Sequence, residues 1–132
     1  MKAVTIHDLN GSVLAFDLID LLELVGPAAL RSNWQCRDVD CLGDSASSLM
    51  SLAESGASLS GDALLALARG VYQIIDGDFV ATRPGDEKQW LAIRAVDSSF
   101  YVVVTDDEAA IAAVWRRFRD VRESPEEQAL LG

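Results

Sequence analysis

The sequence is poor in the residues that most often carry chemistry. It has one histidine, His7, and two cysteines, Cys36 and Cys41. A Cys-x4-Cys pair with one distant histidine does not supply a tetrahedral zinc site of the usual kind. If residues 34–39 form a strand, the two thiols point to different faces, which argues against a disulfide and for two buried thiols. His7 is the only candidate histidine base, and no nucleophile is identifiable beside it. Gly-rich phosphate loops and dinucleotide fingerprints are absent. "GASLS" at 56–60 lacks the closing glycine of a nucleophile elbow, and its flanks read as helical. "DVDCLGD" at 38–44 begins like a calcium loop, but Leu42 holds a ligand position and Leu49 stands where the bidentate glutamate belongs. No catalytic residue, metal or cofactor is assigned.

Basic residues are scarce too: 11 Lys and Arg face 21 Asp and Glu, a net charge of −10. Such a surface repels phosphates, so nucleic acid and anionic membrane are excluded as partners and a basic protein is favoured. Arg116, Arg117, Arg119 and Arg122 cluster, but the end of a helix attracts arginine without any ligand. Long hydrophobic runs are missing as well. Asp17 and Asp20 interrupt the early apolar stretch, so no signal-peptide core forms, and nothing approaches the roughly 20 apolar residues that span a bilayer. A cytoplasmic location is expected. With 132 residues, half of them apolar, residues 1–132 are read as a single domain.

What is present is periodicity. Residues 4–6 are a short strand candidate. Residues 13–25, "VLAFDLIDLLELV", carry apolar positions at helical spacing, and Gly26-Pro27 ends that helix, with an extension through Leu30. Residues 34–39 alternate loosely and are a second strand candidate. Asp44 caps a helix over 45–55 that Gly56 stops, and Ser60-Gly61-Asp62 opens another that Gly70 closes. From Val71 the period becomes strand-like. Asp76-Gly77 suits a two-residue type I′ turn between strands at 71–75 and 78–82. "WLAIRAV" and "FYVVV" form a second hairpin, and "DEAAIAAVWRRF" a closing helix with Ile111, Val114, Trp115 and Phe118 on its core face. The expected fold is α+β: a helical N-terminal half packed on a four-stranded antiparallel meander, with room for a fifth strand, and a closing C-terminal helix.

The stretch "AVDSSFYVVVTDDEAA" (95–110) looks reactive but resolves into two structural devices. With Ser98-Ser99 as the central turn residues, Asp97 pairs with Phe100, and one clean apolar face results: Leu91, Ile93, Ala95, Phe100, Val102 and Val104. A three-residue loop would instead set Arg94 beside Val102. Thr105 to Glu108 satisfies the capping-box pattern. Asp97 and Asp106 stand at opposite strand ends, about 30 Å apart. In a simple meander, however, Asp76 and Asp78 in the first turn come within about 10 Å of Asp97 in the second. These three acids are the candidate contact for a basic partner, although turn chemistry alone also favours Asp there. On the second sheet face, Trp90, Arg94 and Tyr101 would form an aromatic and arginine contact patch.

The leading expectation is a noncatalytic protein-binding domain that neutralises a basic partner. Bacterial immunity proteins share its small size and acidity, an analogy of size and charge only. A carboxylate-dependent hydrolase is the alternative, requiring convergent acids inside a pocket. A third is a structural domain that forms homo-oligomers through Trp90, Arg94 and Tyr101.

Overall fold

The computed structural model describes residues 1–131. In chain order the elements are β1 (Lys2–Ile6), β2 (Leu9–Asn10), β3 (Val13–Leu14), α1 (Leu18–Val25), α2 (Pro27–Arg31), β4 (Asn33–Leu42), α3 (Ala46–Ser55), β5 (Leu59–Ser60), α4 (Gly61–Arg69), β6 (Gln73–Thr82), β7 (Gln89–Val96), β8 (Phe100–Thr105), α5 (Glu108–Arg117) and β9 (Val121–Glu123). A 3-10 tail, Pro125–Leu130, follows. Seven strands form one antiparallel sheet in the order β5-β4-β6-β7-β8-β1-β9, and β2 pairs only with β3. The α+β class with an antiparallel sheet stands. The four-stranded meander behind a helical first half does not, because the first half contributes β1, β4 and β5 to the sheet.

The main correction lies at Asp76-Gly77. Residues 73–82 form one continuous strand, and neither Asp76 nor Gly77 takes a positive φ. Strand β6 is flanked by β4 on one edge and β7 on the other, so a turn there would break both ladders. Gly77 serves close packing instead: a Cβ on it would lie 3.1 Å from the Phe79 ring and 3.2 Å from Val39 Cγ2. An Asp-Gly pair favours a type I′ turn only when tertiary pairing leaves the chain free to reverse.

The β7–β8 register also differs from expectation. Asp97 and Ser98 both adopt positive φ, 48° and 57°, and Ser99 N–H donates to the Val96 carbonyl. Pairing resumes at Val96 and Phe100, so the connection has three residues and Arg94 lies opposite Val102. Every side chain on β8 is therefore on the face opposite to the expected one. Leu91, Ile93 and Ala95 share the main core with Tyr101 and Val103, whereas Val102 and Val104 belong to a small second cluster.

All five helices contribute to that main core, which includes Leu21, Leu22, Ala29, Leu49, Leu64 and Ile111. The other sheet face buries a small apolar cluster, Ala3, Val80, Ala92, Val102 and Val104, against which Val96, Phe100, Leu130 and Leu131 pack. Trp90 escapes the alternation. Ala81 pairs with Leu91 but Thr82 with Gln89, so Trp90 is an extra residue that enters the main core. Its Nε1 donates to Ser32 Oγ at 2.9 Å, and Trp34 Nε1 donates to the Ala29 carbonyl at 2.9 Å, which satisfies both buried indoles at the end of α2.

Helix α1 starts at residue 18, not 13, because residues 13 and 14 pair with β2 and Asp17 is the N-cap. Asp17 accepts from Leu18 N–H at 3.0 Å, from Ile74 N–H at 3.3 Å and from the Tyr101 hydroxyl. One carboxylate thus joins α1, β6 and β8. Burial pushes the Asp17 carboxyl above its ordinary value of 3.8, and these hydrogen bonds offset part of the shift. A carboxyl raised in the native state contributes stability that is complete below the ordinary value and is lost as pH rises through the raised one. The stability advantage of wild type over Asp17→Asn is therefore expected to be largest in acid and to shrink as pH rises above the ordinary carboxyl value of 3.8. Urea melts at a series of pH values check this, and an advantage that grows with pH would contradict it.

Candidate functional site

The sheet face away from the helices is only half covered. One cross-strand row on it runs Arg37, Asp78, Arg94, Val102, Thr5 and Arg122, since each is the register partner of the next. Arg94 makes a bidentate pair with Asp78, Nε to Oδ1 at 2.6 Å and Nη2 to Oδ2 at 3.0 Å. The hydrogen bond to Asp78 raises the already high Arg94 pKa.

A β-bulge shapes this surface. Arg37 pairs with Asp78 and Asp40 with Asp76, so Asp38 and Val39 together face the single residue Gly77. Asp38 sits at φ 53°, a left-handed conformation uncommon outside glycine, asparagine and aspartate. The bulge sends Val39 toward the main core and leaves Asp38 exposed. A trough of about 380 Å³ results, lined by Asp38, Asp76, Asp78, Arg94 and Glu127 with apolar Val96, Phe100 and Val102. A second cleft of about 310 Å³ adjoins it, sharing Asp78, Arg94 and Glu127 and adding Arg37, Val80 and Leu130.

Of the residues singled out from the sequence, Asp76, Asp78 and Arg94 line the trough. Asp97 adjoins it without lining it: its N–H donates to Asp76 Oδ1 at 2.8 Å, and Ser98 N–H donates to the Ile75 carbonyl. These residues meet because β6 runs straight past the β7–β8 turn, not because two hairpin tips sit side by side. Trp90 and Tyr101 are 1% and 0% exposed and belong to the helix-covered core, so they form no surface patch with Arg94. Tyr101 instead donates to Asp17, with its own pKa pushed well up by burial.

Asp38, Phe100 and Glu127 are not among the contact residues expected from the sequence. Asp38 did leave a signal, since "RDVD" at 37–40 breaks the alternation of β4 where the bulge falls. His7 is the only candidate histidine base. It lies at the end of β1, stacked on Phe100 with centroids 4.9 Å apart, its Nε2 2.8 Å from Thr5 Oγ1. Burial and Arg122 lower its pKa. Thr5 is buried, and neither it nor His7 lines either cleft. Thr105 does not cap α5 as expected: its hydroxyl donates to the Trp90 carbonyl, and Asp107 is the N-cap.

Among the described residues no three His, Cys, Asp or Glu side chains converge as a metal site, and no helix is long and apolar enough to cross a membrane. The fold and clefts define a class by architecture alone: five helices, among the described residues, on one face of a seven-stranded antiparallel sheet, with a half-open acidic trough on the other. No protein-family model matches the chain, nor does any curated protein or solved structure compared with it.

The strained bulge gives a direct test of the trough's construction. Asp38→Gly relieves the left-handed penalty, partly offset by the flexibility glycine adds to the unfolded chain, for a net gain of about 0.5 kcal/mol. Denaturant midpoints measure it, and a loss of stability would show that the bulge needs the aspartate side chain.

Proposed function

We propose that this chain is an acidic, noncatalytic protein-binding domain of the cytoplasm that neutralises a basic partner, as immunity-type proteins do. The observation that carries this reading is the trough, where Asp38, Asp76 and Glu127 surround an apolar floor that includes Phe100. Carboxylates above an aromatic surface suit an arginine or lysine side chain, whose apolar stem packs while its head pairs. Arg94 is already engaged by Asp78, which leaves the other acids to receive a cation. The net charge of −10 adds long-range attraction for a basic protein and speeds its encounter. Two free, buried cysteines are compatible with a reducing compartment.

The test is an NMR titration with arginine-rich and lysine-rich peptides at low and moderate salt. Amide shifts are expected at residues 76–78 and 94–100, with affinity falling as salt rises. The Asp38→Asn, Asp76→Asn double variant keeps side-chain size and is expected to weaken binding on the order of tenfold. Unchanged affinity in that variant, or no shifts at the trough, would overturn the proposal.

A further inference from the structure

A second surface feature is apolar and lies on the other side of the tail. A groove of about 460 Å³ runs between α5 and the β1–β9 edge. Ile111, Ala112 and Trp115 line it from the helix, and Val4 and Pro125 from the opposite side. Trp115 belongs to the apolar stripe of α5, yet it is 44% exposed while Ile111, Val114 and Phe118 are buried. Nearly half of this residue is left exposed, and an exposed tryptophan beside apolar neighbours is the usual anchor of a protein interface.

The charges of the groove narrow its occupant. Glu108 and Glu123, both exposed, line it together with one base, Lys2. None of the three joins an ion pair among the described residues, whereas Arg83, Lys88, Arg94 and Arg122 each pair with an aspartate. Two unpaired carboxylates and the π-face of Trp115 attract a cation beside an apolar group. A second copy of the chain, itself at −10, would bring like charges together, and nucleic acid would be repelled.

We infer that this groove docks a short segment of a partner protein carrying a bulky apolar side chain next to a lysine or arginine. The groove shares no lining residue with the acidic trough, although Pro125 lines one and Glu127 the other, so a single partner crossing the tail would touch both.

The experiment selects a displayed library of random peptides against the full chain and measures affinities by fluorescence anisotropy. Enriched peptides are expected to pair an aromatic or branched aliphatic residue with Lys or Arg. Trp115→Ala should weaken them on the order of tenfold, and the exposed pair Glu108→Lys, Glu123→Lys, which spares the core, by about tenfold as well. Asp38→Asn, Asp76→Asn should leave them within about twofold, which separates this groove from the trough. The inference is overturned if no peptide is enriched, if enriched peptides lack basic residues, or if they bind both groove variants as tightly as wild type.

Discussion

The carboxylate of Asp17 is the point where the two layers of this protein are fastened. It ends the loop before α1, caps that helix, accepts from the backbone where β6 begins, and receives the Tyr101 hydroxyl from the middle of the sheet. A half-buried acid with no cation partner is costly unless its oxygens are filled by donors. Here neutral donors from three elements fill them, so the helix cannot shift along the sheet without leaving a carboxylate unsatisfied. The Phe16 ring beside it, packed on Tyr101 and Phe118, extends the same seam to the end of α5.

With the helices fixed to one face, everything exposed on the other is set by strand parity and its exceptions. Two extra residues matter most. Trp90 adds one residue to β7 and rotates an indole into the core, where its N–H finds Ser32. The Asp38–Val39 bulge adds one to β4 and holds a carboxylate over the open face in a left-handed conformation. Without it, Val39 and Asp38 would exchange sides, placing a charge against the core and an aliphatic side chain in the trough.

The helical segments were largely legible in the sequence because their signals are local. Ser60 caps α4 through Ala63 N–H, Gly56 takes the left-handed conformation after α3, and Pro27 opens α2. The sheet was less legible because its determinants are distant in sequence. Asp76-Gly77 carries a strong turn signal, yet β4 and β7 hold it flat. The one-residue difference in the β7–β8 connection turned Tyr101 from a surface candidate into a core donor. The trough was glimpsed through Asp76 and Asp78, but Asp38 and Glu127 come from segments whose placement depends on the completed sheet. Helical periodicity places Trp115 on the core-facing stripe of α5 but does not show where the neighbouring layer stops.

Strand β1 has one more implication. Its five residues pair on one side with residues 101–105 and on the other with residues 121–123. Neither ladder of β1 can therefore form until the chain has closed back on it from residues 101–105 and 121–123. Contacts of such long sequence separation carry the largest loop-closure cost, which slows completion of the sheet. The net charge of −10 spread along the chain opposes association between chains whose sheet is still unfinished.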